Sequence, residues 1–232
     1  MITTDGQALA STLTKSLDDI DATLLALDEG RDKILDVACL STMAIRWLIP
    51  RLHRFRQEHP DIDLRLSTDP RRPDRLLNRI DVSILVLAPD EAPGRQDSVL
   101  LAEALGPVLA PSLVGQGDAV GPEGLGALPR LITKTRPKAW EEWQAILSSP
   151  PIPAKGVCEF EHLSLAIEAA ASGLGLCVTP DHLVQDDIAS GRLIAPLGFR
   201  ASGYTYVARA HGRRKRKSDA FIDWMRQDMS AR

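Results

Sequence analysis

The sequence predicts an α/β fold of two lobes with one long helix in front. Three observations carry this. Leucine and isoleucine recur at spacings of four and three between Gly6 and Glu29. Strand-like and helix-like stretches alternate from Lys33 to Leu87, and again from Arg130 to Ala189. A strand and a helix after Gly203 then give the chain a way back to the first unit.

Leu9, Leu13, Leu17, Ile20, Leu24 and Leu27 make a single apolar stripe on the leading helix. About 24 helical residues would reach roughly 36 Å at 1.5 Å per residue. Such a stripe either packs on its own domain or pairs with a second copy. Its length, and its abrupt end at Gly30-Arg31-Asp32, favour a dimerisation arm. Residues 1–31 are therefore expected to be that arm and 32–232 a separate domain. One lobe takes about 32–109 and 209–232, and the other about 110–208.

In the first unit, Ile34 to Cys39 reads as a buried strand and Thr42 to Glu58 as a helix closed by His59-Pro60. Ile62 to Ser67 alternates as a strand, Pro70 to Arg79 is a short helix with proline in its first turn, and Asp81 to Leu87 is a strand. That order implies parallel strands with helices on the faces. Ala88 to Asp97 is polar loop, followed by strand from Ser98 to Ala110.

Gly115 to Gly126 holds five of the 16 glycines and reads as loop throughout. Strands follow at Arg130 to Thr133, Gly156 to Phe160 and Gly175 to Thr179. Helices are expected at Ala139 to Leu147, His162 to Ala171 and Pro180 to Ala189. A strand at Gly203 to Ala208 and a helix from about Ser218 to Met229 close the chain. Trp47, Trp140, Trp143 and Trp224 lie on amphipathic helices and read as core.

Composition narrows the function classes. Lys and Arg total 28 against 31 Asp and Glu, so a net charge of −3 gives no global pull toward nucleic acid or an acidic membrane. Arg213 to Lys217 is the one dense charge block; without an aromatic residue for stacking, it reads as a solvated loop. Cys39, Cys158 and Cys177 are far apart and odd in number, as expected of free thiols in a reducing cytoplasm. The acidic first 30 residues resemble neither a signal peptide nor an anchor, and no later run reaches the ~18 apolar residues of a membrane helix. Nucleophile-elbow, zincin and paired-cysteine patterns are absent, and neither Gly115-Gln116-Gly117 nor Gly173-Leu174-Gly175 has the third glycine of a dinucleotide loop. No enzyme activity, cofactor or metal is expected.

Ligands of open α/β sheets bind at the carboxyl ends of the strands, so the cleft between lobes is the expected site. Ser41-Thr42, Thr68-Asp69 and Glu161-His162 each stand between a strand and the start of a helix. There the first backbone N–H groups point outward and favour carboxylate or phosphate. The alternative is that Thr42 and Thr68 only cap their helices, worth about 1 kcal/mol each. Lys134 and Arg136, after the strand at 130, either pair an acidic ligand or are solvated. Arg46, one turn after Thr42, faces either cleft or solvent, and His162 is either a cap or a ligand group.

Several stretches, in order, resemble the LysR-type transcription regulators. Arg46-Trp47-Leu48-Ile49-Pro50-Arg51-Leu52, Phe55 and His59-Pro60-Asp61-Ile62 are similar to the first helix and second strand of their effector domain. Ala139-Trp140-Glu141-Glu142-Trp143 and Leu165 through Gly175 resemble the branch that includes the glycine-cleavage activator. Gly191-Arg192-Leu193 and Phe221-Ile222-Asp223-Trp224 also fit, and Thr3-Thr4-Asp5-Gly6 is similar to the start of the family's linker helix.

The resemblance implies a two-lobed, periplasmic-binding-protein-like effector domain behind a long linker helix. It also implies a small-molecule effector in the cleft, and homodimers that pair into tetramers. It places effector contacts at Thr42 and Thr68 and near Thr133, Glu161 and Thr205. The family's winged helix-turn-helix would precede Thr3 and is not among these residues, so DNA contact is expected only through such a domain. Three other readings stand beside this one. A transporter's solute-binding protein would need export, an α/β enzyme would need a catalytic constellation, and a short natural chain would pair with a full-length relative as a modulator.

Overall fold

The computed structural model describes residues 3–26, 33–68, 80–114, 121–147, 152–211 and 216–230. Helix α1 (Thr4–Ala26) opens where the Gly6 N–H donates to the Thr3 hydroxyl at 3.2 Å, as to an N-cap. Leu9, Leu13, Leu17 and Ile20 on it are all exposed. Leu27 lies outside the described residues.

Eight strands form one continuous ladder in the order β2-β1-β3-β8-β4-β7-β5-β6. Strands β1 (Ile34–Ala38), β2 (Asp63–Ser67) and β3 (Val82–Leu87) build its first half, with β1 parallel to both neighbours. Strands β5 (Arg130–Thr133), β6 (Val157–Phe160) and β7 (Leu176–Pro180) build the second half, again parallel about a central strand. The strand–helix alternation explains this, because a parallel neighbour needs a crossover.

The halves are joined by two long antiparallel strands, β4 (Asp97–Val108) and β8 (Arg200–Ala210). The carboxyl end of β8 pairs with β3, and the carboxyl end of β4 with β7, so each strand belongs to both halves. Their mutual register breaks in the middle. Ala102 opposes Thr205 but Ala104 opposes Ala201, so Ser202, Gly203 and Tyr204 bulge against Glu103 alone. Gly203 takes φ +85°, a backbone that side chains with a Cβ avoid. The two lobes are thus halves of one ladder rather than separate sheets. The strand expected at Gly203 to Ala208 is longer because its early residues serve the second half.

The helix after β1 is irregular: α2 (Ser41–Met43) runs through a π-turn (Ala44–Leu48) into α3 (Ile49–Glu58), followed in the other half by α4 (Pro122–Leu125). The helix expected at Pro70 to Arg79 lies outside the described residues, as do 115–120 of the glycine-rich stretch. Helix α4 corrects the all-loop reading of Gly115 to Gly126; Pro122 opens it and buried Leu125 anchors it. Helices α5 (Ala139–Leu147) and α6 (Leu163–Ala171) match expectation. The helix expected at Pro180 to Ala189 is a 3₁₀ turn (Asp181–Leu183) followed by α7 (Gln185–Ala189).

Helix α8 (Arg216–Ser230) begins inside the basic run read as a solvated loop. That reading fails at Lys217, whose buried ammonium lies 2.9 Å from Asp81 and donates to the Ile34 carbonyl. The four tryptophans are buried, as expected. Trp47, Phe55, Phe221 and Trp224 pack in one cluster, and Trp140 with Trp143 in another under the second half. The first cluster also takes in Ile167, Leu183 and Val184, so apolar contact bridges the halves. Among the described residues no helix is long and apolar enough to cross a membrane.

Candidate functional site

Parallel strands bring their carboxyl ends to one side of each half, and the predicted residues follow those ends. Thr42, after β1, is buried, but it does not cap its own helix; the N-cap position is Leu40. Its hydroxyl instead accepts the Ser164 N–H of α6 at 3.2 Å. His162 holds the N-cap position of α6 without a side-chain cap, so an oxygen from the other half does that work. Ser41 is the first residue of α2 beside this contact. Thr68 follows β2 and is exposed, whereas Asp69 lies outside the described residues.

In the second half, buried Thr133 ends β5 and its hydroxyl accepts the Arg136 N–H at 3.2 Å. Exposed Lys134 meets exposed Glu161 at 2.5 Å. The hydrogen bond between them holds the Glu161 carboxyl below its ordinary value and raises the Lys134 ammonium. Thr205 is half-buried on β8, in register with Leu87 and Ala102. The fold therefore joins Thr42 to the start of α6, and Lys134 to Glu161. It directs Arg46 elsewhere: that guanidinium pairs with Glu168 and Asp187.

Sequence reasoning missed a buried group at the β4–β8 irregularity. Glu103, within the β4 irregularity, is completely buried, and both its oxygens accept from Arg136 Nη1 at 2.8 and 2.9 Å. Ser202 donates to Glu103 at 2.7 Å. The other edge of Arg136 binds Glu142 through Nε at 3.2 Å and Nη2 at 2.9 Å, and its Cζ lies 4.5 Å from the Tyr204 ring centre. Tyr204 donates to Glu142 at 3.1 Å. Arg136 is thus neither solvated nor free. Burial pulls its guanidinium down, but Glu103 and Glu142 outweigh this and the net direction is up. Burial, then the Glu142 hydrogen bond, pushes the Tyr204 phenol up. Buried Tyr206 rises for the same leading reason, with Glu103 adding to it. A signal for this group was present: Glu103 is the lone charge between Ser98 and Ala110, an otherwise largely apolar stretch where an acid needs a partner.

Two of the cysteines are not poised as nucleophiles. Burial pushes the Cys39 and Cys177 thiols up to about 12, which keeps them protonated. Among the described residues no group of three His, Cys, Asp or Glu side chains could hold a metal ion.

Residues 28–230 match the model of the LysR substrate binding domain. The chain belongs to that family. The HTH-type transcriptional regulator TrpI of Pseudomonas aeruginosa is 38% identical over 165 residues, covering 68% of this chain and 54% of that protein. The glycine cleavage system transcriptional activator of Escherichia coli is 32% identical over 163 residues, covering 70% and 53%. The chain thus spans about half the length of these relatives. The AmpR effector binding domain from Citrobacter freundii superimposes with a TM-score of 0.69 at 23% identity, over 86% of this chain and 100% of that one. That likeness is one of fold.

Proposed function

We propose that this domain senses a small anionic metabolite held between its halves, and that the regulator it belongs to uses the resulting change to control transcription. The observation that carries the reading is the cross-cleft contact of Thr42 with the Ser164 N–H. Helix α6 begins at the cleft with a backbone donor served by a residue from across the gap. An anion at that point would replace the threonine oxygen and gain the favourable end of the helix dipole. Ser41, Thr42, Thr68, Thr133, Lys134, Glu161, His162 and Thr205 are proposed to border the effector, with Tyr204 and Arg136 as the floor. The relatives' descriptions as transcriptional regulators support the role in transcription.

Residues 1–31 are proposed as the dimerisation arm and 32–232 as the sensing domain. The exposure of Leu9, Leu13, Leu17 and Ile20 supports pairing of α1 with a second copy. DNA contact is assigned to a separate winged domain of the regulator, working in the cytoplasm. A thermal-shift screen of small organic acids tests the sensor reading. Binders should raise the melting temperature of the parent chain and not that of Thr42→Val. A library without a single binder, or one whose binders ignore Thr42, would remove the site as drawn.

A further inference from the structure

The run from α2 through the π-turn into α3 sends three side chains into the other half of the molecule. Thr42 reaches Ser164, Arg46 reaches α6 and α7, and Arg51 meets Asp186 of α7 at 3.1 Å. Arg46 lies in the π-turn and Arg51 near the start of α3, and both pair with acids of α7. Arg46 Nε donates to the Leu183 carbonyl at 3.4 Å, Nη1 to Glu168 and Nη2 to Asp187. Only the planar fork of an arginine serves three acceptors in this way; an ammonium could not span them.

We propose that Arg46 is a reversible clasp between the two halves, closed in this structure and released into water when the halves part. What makes it reversible is Arg192. This second guanidinium, on the same half as the two carboxylates, binds Asp187 at 2.6 Å and Glu168 at 2.7 Å through their other oxygens. Two arginines and two acids thus close a neutral square, three corners of which belong to the second half. When Arg46 leaves, each carboxylate keeps a guanidinium and no buried charge is stranded. A pair built only for rigidity has no need of a spare partner. The shared apolar contact of Trp47 with the Leu183 region is non-directional, whereas the fork fixes how the helices meet.

Thr42 precedes Arg46 by one turn, so a ligand that takes the Ser164 N–H works beside the clasp. That link rests on the sensor reading; the clasp itself does not.

The test needs no effector. In a chain carrying Cys158→Ser, spin labels at Gln57→Cys on α3 and Ala189→Cys on α7, both exposed, report the distance between halves. Samples diluted with unlabelled chain exclude distances between copies. The parent chain should give one short distance at low salt. At about 1 M salt, where charges screen over about 3 Å, a longer component should appear. Arg46→Gln should show that component several-fold more at low salt and lose the salt response. Arg192→Gln should stay closed, because Arg46 still holds both acids. Identical distributions for Arg46→Gln and the parent at both salt levels would overturn the clasp, as would equal opening by Arg192→Gln. Should Arg46→Gln not fold, Glu168→Gln at the surface is expected to open the chain partly, and its failure to do so also overturns the proposal. A sensor reading that fails in the thermal-shift screen leaves these distances untouched.

Discussion

Two arginine–carboxylate groups join parts of this molecule, and they are built in opposite ways. At the β4–β8 irregularity, Arg136 holds the buried Glu103 of a connecting strand, and no second guanidinium stands behind it among the described contacts of Glu103. At the π-turn, Arg46 holds Glu168 and Asp187, each of which also has Arg192. Charge in a dry place with one partner is a permanent tie, since separation leaves an acid without solvent. Charge with a partner to spare is a tie that can be broken and remade. The molecule places the permanent tie where the two long strands bend and the breakable one where the halves meet.

The largest expected effect follows from the permanent tie. Arg136→Met should cost about 3–5 kcal/mol of unfolding free energy in urea, because Glu103 stays buried with its guanidinium gone. Adding Glu103→Gln to that variant should recover at least about 1 kcal/mol, since the stranded charge is what costs most. A double variant no better than the single would mean that Arg136 acts through its packing on Tyr204. Next comes Gly203→Ala at the bulge. A φ of +85° and a Cβ only 3.1 Å from the Pro89 side chain should cost about 1–2 kcal/mol by the same measurement. A neutral result there would show that the connecting strands yield more easily than their register suggests.

Much of the fold was legible in the sequence, but this contrast was not. Element types came through where the apolar period was clean, as in Ala139 to Leu147 with its two buried tryptophans. The strand–helix alternation gave the parallel halves. What the sequence hid were features set by partners distant in the chain. Arg46 read equally well toward cleft or solvent, because Glu168 and Asp187 lie more than 120 residues away. Lys217 looked like one more charge in a basic run, yet its head finds Asp81 and the Ile34 carbonyl. Thr42 suggested a helix cap by position, and it is one, but for a helix on the other half. Local patterns encode local geometry; only the closed fold shows which polar groups share a partner.

The breakable tie should give the smaller effects. Arg46→Gln is expected to cost about 1 kcal/mol, well short of Arg136→Met, because both acids keep Arg192. Its pH dependence sharpens the comparison further. Burial alone would raise the Glu168 carboxyl, but hydrogen bonds from Arg192 and Arg46 outweigh it and hold it below its ordinary value of 4.5. A carboxyl lowered by folding contributes stability in full above the unfolded value and loses it as pH falls through the folded one. The gap between the parent chain and Arg46→Gln should therefore be flat above about pH 6 and narrow below about pH 4.5, as protonated Glu168 stops attracting Arg46. Urea unfolding of both chains across that range measures it. A gap that holds steady into strong acid would mean Arg46 stabilises through the Leu183 carbonyl and its aliphatic stem, and the contrast between a permanent and a breakable tie would then have to rest on Asp187 alone.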